Sequence, residues 1–214
     1  MTGRSHLHLT PSAEHPTPST IALPHHTPPA PKPNAANCSS CTDRQDSDIH
    51  PALEPTFYYF AYGSCMCPVD LQRTLGENTR DYVIGTARLD HYRLAFNRRA
   101  QHRDCGVLDI VADRSSHVEG VLYRLPWRLS DRLDEREEIP TRGYQRDTIT
   151  VRCRDRIYTD VRTYSVVDKL PRELAPNDWY FNVVLRGAVT CGLSEQYCWK
   201  LFEHMYSLQQ QQSA

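Results

Sequence analysis

Two adjacent carboxylates, Glu137 and Glu138, close the run Leu-Asp-Glu-Arg-Glu-Glu at 133–138, and Tyr144 follows shortly after. A carboxylate withdrawn from water can ferry a proton between two groups of a substrate, because burial raises its pKa towards neutrality. Spacing alone makes such a run a solvated helix face. A second candidate lies upstream, where Phe57–Ser64 reads FYYFAYGS and is followed by Cys65, Cys67 and Pro68. There an aromatic run stops at Gly63-Ser64. Three readings fit: a core strand ending in a tight turn, a cysteine nucleophile, or a cradle of backbone N–H groups for a small anion. A nucleophilic cysteine needs a base. His91, His102, His117 and His204 are present, none in a recognisable cysteine-hydrolase context. For a cradle, Gly63 and Ser64 let the chain turn with few side-chain clashes, and the N–H groups of that turn and of a helix start near Pro68 would point outward.

The elements that must hold these residues follow from local pattern. Phe57–Tyr62 is short, aromatic and bounded by Gly-Ser, which predicts a buried strand. Pro68 suits a first helical position and Gly76 a stop, predicting a helix over 68–75. Strands are expected at 82–89 and 91–97 with a bend near Asp90, then at 105–113 and 118–125 joined by a hairpin at RSSH. Ser130 is a plausible N-cap for an acidic helix ended by Pro140. Strands at 144–153 and 161–168 precede two C-terminal helices, and in the second Cys198, Leu201, Phe202 and Met205 share one face. Tyr144 and Tyr164 read as packing residues with a hydroxyl at the pocket edge, and Trp127 and Trp199 as core. Strands in front and helices behind give an α+β fold with a curved, barrel-like mixed sheet.

Composition sets the outer limits. The 214 residues carry 25 Lys and Arg against 26 Asp and Glu, so nothing electrostatic points to a nucleic-acid partner. No apolar run approaches the roughly 18 residues of a membrane span, and the N-terminus lacks the apolar core of a secretory signal. The eight cysteines are expected to be reduced thiols in a cytoplasmic protein. Residues 1–55 hold ten of the fifteen prolines and none of the aromatics. A segment without large apolar side chains cannot offset the entropy of ordering itself, so 1–55 is expected to be a disordered tail. The folded domain is expected over 56–208, with 209–214 frayed. Cys38 and Cys41 form a C-x-x-C pair in the tail, where the other ligands of a zinc site are missing, and His25 and His26 read as solvated coil.

YFAYGS at 59–64, ARLDHYRLAF at 87–96, LDEREE at 133–138, Tyr144, APNDWYFNVVLRGA at 175–188 and GLSEQY at 192–197 come in an order that resembles the γ-glutamylcyclotransferases (the AIG2-like group). The resemblance spans essentially all of 57–208. It implies a small mixed β-barrel flanked by helices and a reaction that needs neither metal nor other cofactor. In that reaction the α-amine of a γ-glutamyl group attacks its own γ-carbonyl, 5-oxoproline forms, and an amino acid or amine leaves. It also implies Glu137 as the catalytic acid and base, Tyr59, Phe60, Ala61, Tyr62, Gly63 and Ser64 as substrate-lining residues, and Tyr180 as a further substrate contact. The chain departs from the family at Cys65, where the best-known members have asparagine, and at Glu138, where glycine is usual. Three rivals accompany this reading: cyclisation of γ-glutamyl-amines or another acyl transfer, a non-catalytic γ-glutamyl-binding module, and cysteine catalysis.

Overall fold

A computed structural model describes residues 54–100 and 102–213; the N-terminal tail with Cys38, Cys41, His25 and His26 lies outside the described residues. Five strands close into a barrel in the order β1-β3-β2-β4-β5: β1 Thr56–Ala61, β2 Val83–Ala100, β3 Cys105–Pro126, β4 Tyr144–Cys153 and β5 Arg156–Val166. All neighbours run antiparallel except β1 and β5, which meet in parallel at Tyr59 and Arg162 to close the ring. This is the mixed barrel that the sequence predicts. Four helices flank it: α1 Pro68–Leu75, α2 Ser130–Arg136, α3 Asp178–Thr190 and α4 Glu195–Ser213. The bounds of α1 and β4 are those read from the sequence.

The four short strands expected between 82 and 125 are two long ones. Pairing jumps from Asp90↔His117 to Tyr92↔Ala112, so His91, at φ 67°, faces a looped-out stretch at 113–116. Asp113 ties that stretch down: Oδ1 accepts from the Ser115 amide at 3.0 Å and Oδ2 from the Ser116 hydroxyl at 2.8 Å. Arg-Ser-Ser-His has turn composition, but it builds a wide bulge that bends the sheet without reversing it. The hairpin expected there is corrected to one between β2 and β3, which are already paired at Ala100 and Cys105.

Further corrections concern side chains. Trp127 and Trp199 are more than half exposed and are not core. Trp127 covers Phe57 edge-on with ring centroids 5.5 Å apart, and Arg162 stacks on Phe57. Ser130 opens α2 as its first helical residue, after a 3-10 turn at Trp127–Leu129. Its hydroxyl accepts from Arg162 at 2.7 Å, so it is not the cap. Helix α2 ends at Arg136, before Pro140, and α4 runs through the glutamines to Ser213.

The core fills the barrel and the seam beneath α1 and α3, with Phe60, Leu122, Val161 and Tyr123 fully buried. Two glycines bring backbone close to the end of β1. A Cβ on Gly120 would sit 2.4 Å from the Ala61 carbonyl oxygen, and one on Gly187 in α3 would sit 2.9 Å from the Cys67 nitrogen. Only glycine permits these approaches; the first packs β3 against the end of β1, and the second seats α3 against the turn that follows it.

Candidate active site

Beyond Ala61 the chain makes a single 3-10 turn, Ser64–Met66, before α1. The amides of Met66 and Cys67 donate back to the carbonyls of Gly63 at 3.0 Å and Ser64 at 3.2 Å. The cradle is thus smaller than the sequence suggests. Two of its expected amides are used within the turn, and Pro68 at the helix start has none. The Ser64 and Cys65 amides open the turn and take no part in these bonds. Tyr123 fixes the turn from below, its hydroxyl donating to the Met66 carbonyl at 3.0 Å.

This turn forms one wall of a cavity of about 190 Å³. The adjoining part of the lining is the end of α2. Glu137 is the C-cap of that helix, its amide bonded to the Leu133 carbonyl at 3.1 Å, and its carboxylate faces the cavity. Tyr144 of β4, Tyr164 of β5 and Tyr180 of α3 complete the lining. Of the eight residues the sequence nominates, Tyr59, Tyr62, Gly63, Ser64, Glu137 and Tyr180 line this one cavity. Phe60 and Ala61 do not. Phe60 alternates away from Tyr59 into the core with no exposed surface, and Ala61 is buried with its carbonyl against Gly120.

The tyrosines are structural as well as lining. Tyr62 donates to the Tyr164 carbonyl at 2.7 Å, Tyr144 to the Leu108 carbonyl at 2.9 Å, and the Tyr180 hydroxyl accepts from the Leu108 amide at 3.1 Å. Tyr144 and Tyr180 therefore grip the two backbone groups of one residue in β3. That hydroxyl of Tyr180 would lie only 3.2 Å from a Cβ on Gly63, so the turn and α3 fit because position 63 is glycine. Burial pushes the Tyr59, Tyr62 and Tyr144 hydroxyls well above their ordinary range and Tyr164 up to about 12, so these groups stay protonated.

The two adjacent glutamates part ways. Glu138 adopts the left-handed region at φ 53° and ion-pairs with Arg98 of β2. Arg98 also donates to the Gly143 carbonyl at 2.8 Å. Glu137 makes no ion pair among the described residues. Its Oε1 accepts from the Cys65 thiol at 3.4 Å. Burial raises its pKa, and the charge of Arg136 only partly opposes that.

Arg136 is the residue that sequence reasoning missed. It looks like one more charge in an acidic run, yet its guanidinium is largely buried and turns back onto α1 and the turn. It donates to Asp70 at 2.6 Å, to the Thr74 hydroxyl at 2.6 Å, to the Ser64 hydroxyl at 2.8 Å and through Nε to the Cys65 sulfur at 2.8 Å. The thiol of Cys65 is pushed up to about 12 by burial, with Arg136 opposing, and its partners are Arg136, Glu137 and Tyr59 rather than a histidine. A protonated thiol is a poor nucleophile, which argues against cysteine catalysis. Arg98, His102, Arg103 and Glu138 also line the cavity, Arg103 with its guanidinium 4.0 Å from the centre of the Trp179 ring. Among the described residues no three His, Cys, Asp or Glu side chains converge as metal ligands would, and no helix is long and apolar enough to cross a membrane.

Comparison with known proteins agrees with this geometry. The profile of the AIG2-like family matches residues 117–201. A Bacillus subtilis (strain 168) protein, YkqA, named provisionally as a gamma-glutamylcyclotransferase, is 34% identical over 151 residues, which are 71% of this chain and 53% of YkqA. The chain thus spans about half the length of that relative. The crystal structure of YkqA superimposes with a TM-score of 0.66 at 33% identity, covering 72% of this chain and 55% of YkqA. A gamma-glutamyl cyclotransferase structure, at 23% identity and a TM-score of 0.63, shares the fold over 69% of this chain and 86% of its own. An uncharacterized human protein does so at 24% identity and a TM-score of 0.61, over 68% and 86%. By the AIG2-like match over residues 117–201 and the similarity to YkqA in sequence and structure, this chain belongs to the gamma-glutamylcyclotransferase-like, AIG2-like family.

Proposed function

We propose that the protein is a γ-glutamylcyclotransferase that closes a γ-glutamyl group to 5-oxoproline, with Glu137 as the acid–base residue. The supporting observation is the Glu137 carboxylate, raised in pKa by burial and making no ion pair among the described residues, set beside the Gly63–Cys65 turn in the lining of one small cavity. The volume, about 190 Å³, lies below the about 300–1,000 Å³ of drug-sized sites and suits a ligand of amino-acid size.

In this reaction the substrate's α-ammonium loses a proton to the Glu137 carboxylate. The freed nitrogen attacks the γ-carbonyl carbon, the C–N bond of the ring forms, and the carbonyl oxygen takes the charge. Collapse of that tetrahedral intermediate breaks the bond to the leaving nitrogen, which receives the proton from Glu137; the ring nitrogen passes its remaining extra proton through Glu137 to the departing amine, so 5-oxoproline forms as the neutral lactam and the amine leaves as an ammonium. The Ser64 and Cys65 amides and the charge of Arg136 beside them serve the substrate's carboxylate or the developing oxyanion. The tyrosine walls hold the glutamyl chain folded, and such orientation can supply part of the roughly 7–11 kcal/mol available to intramolecular attack.

Arg103 in the cavity lining favours a leaving group that bears a carboxylate, which fits a γ-glutamyl amino acid better than a γ-glutamyl amine. A panel of γ-glutamyl-alanine, γ-glutamyl-lysine, a γ-glutamyl-amine and glutathione, with 5-oxoproline read by mass spectrometry, tests both points. Release from the amino-acid conjugates above the amine is expected. Tight binding without 5-oxoproline would instead mark a non-catalytic binding module.

A further inference from the structure

We infer that Cys65 is a positioning residue for Glu137: its thiol holds the carboxylate in the orientation that faces the substrate. This rests on the reading of Glu137 as the acid–base group. Cys65 is buried, and its sulfur lies between two charged groups, accepting from Arg136 Nε at 2.8 Å and donating to Glu137 Oε1 at 3.4 Å. Arg136 is held independently by Asp70, Thr74 and Ser64, so its guanidinium is anchored whether or not the thiol is present. Oε1 is thereby engaged, and the second oxygen is left for substrate. A hydrogen bond to the ionised form also favours that form, so the thiol restrains the upward push of burial and keeps Glu137 ionised to lower pH.

The other groups that face Glu137 do not replace this contact. Arg98 is spent on Glu138, and Arg103 stacks on Trp179. His102 lines the cavity, and Glu138, beside Glu137, is paired with Arg98. Tyr59, Tyr62, Tyr144, Tyr164 and Tyr180 present neutral hydroxyls; Tyr59 is bonded to the Cys65 thiol itself, and Tyr62, Tyr144, Tyr164 and Tyr180 to Tyr164, Leu108 and Asp134.

The test is an infrared pH titration of the Glu137 carboxyl band, identified by its loss in Glu137→Gln, in wild type, Cys65→Ala and Cys65→Ser. It requires no turnover, so its result is separable from that of the 5-oxoproline assay. In Cys65→Ala the titration is expected to move up by about one pH unit. Cys65→Ser keeps a donor at the same place and is expected to titrate at or below wild type. On any substrate turned over, Cys65→Ala lowers kcat near pH 7 with KM little changed, and Cys65→Ser restores it. An unmoved titration in Cys65→Ala, or a Cys65→Ser titration that follows Cys65→Ala, would overturn the inference.

Discussion

Glu137 and Glu138 are neighbours in the chain and line the same cavity with different partners: one carboxylate accepts from the Cys65 thiol, the other is ion-paired with Arg98. The backbone separates them. Glu137 ends α2, and Glu138 turns through the left-handed region, where a residue with a Cβ costs about 1–2 kcal/mol and glycine costs almost nothing. That conformation accounts for the glycine usual at this position in the family that the sequence resembles. Here the Arg98 ion pair compensates. Glu138→Gly is expected to relax the backbone and release Arg98, leaving turnover largely intact, as 5-oxoproline assays of the variant would show.

Arg136 is expected to matter chiefly through Asp70. Their 2.6 Å pair has side chains only 17% and 7% exposed, so Arg136→Met leaves a nearly buried carboxylate unpaired. Breaking one partner of such a pair costs about 3–5 kcal/mol. Denaturant unfolding should register that loss, and Asp70→Leu added to Arg136→Met should recover most of it.

Gly187→Ala probes the seating of α3. Its Cβ would meet the Cys67 nitrogen at 2.9 Å, a backbone atom that cannot swing aside. Overpacking of this kind costs about 1–3 kcal/mol. Because α3 carries Tyr180, the variant should also raise KM, whereas a purely thermal defect would leave KM unchanged below the melting transition.

The raised pKa of Glu137 has a consequence for stability. Between its unfolded value, about 4.3, and its higher folded value, the native state binds more protons than the unfolded chain. Stability contributed by the protonated carboxyl is therefore lost as pH rises through that window. Glu137→Gln removes the dependence. Its melting temperature should exceed that of wild type at pH 7, by about 2–4 °C for each kcal/mol gained, and the difference should close below about pH 4. A variant less stable than wild type at pH 7 would contradict the burial argument.

Much of this fold was legible in the sequence where local signals were unopposed. Pro68 and Gly76 bracket α1 because each suits one end of a helix, and β4 carries a clean alternation. The long strands β2 and β3 were not legible, because a bulge opposite His91 is written in the same residues as a turn. Trp127 and Trp199 misled because an indole can be satisfied at the surface by one aromatic neighbour, Phe57 in one case and Phe202 in the other. Glu137 and the Gly63-Ser64 turn, which line the cavity, were nominated through the family resemblance. Phe60 and Ala61 were nominated with their neighbours although strand alternation sends Phe60 away from Tyr59. Arg98 and Arg136 left no signal, since what distinguishes them from surface charges is a partner some 40 and 66 residues away in the chain.

The most direct measurement is single-turnover release of 5-oxoproline from γ-glutamyl-alanine by wild type and by Glu137→Gln, each folded and each able to bind the substrate. The account predicts release by wild type, with a rate that falls as pH drops through the raised pKa of Glu137, and a loss of about 10²–10⁴-fold in the variant. Equal rates in the two proteins would contradict it.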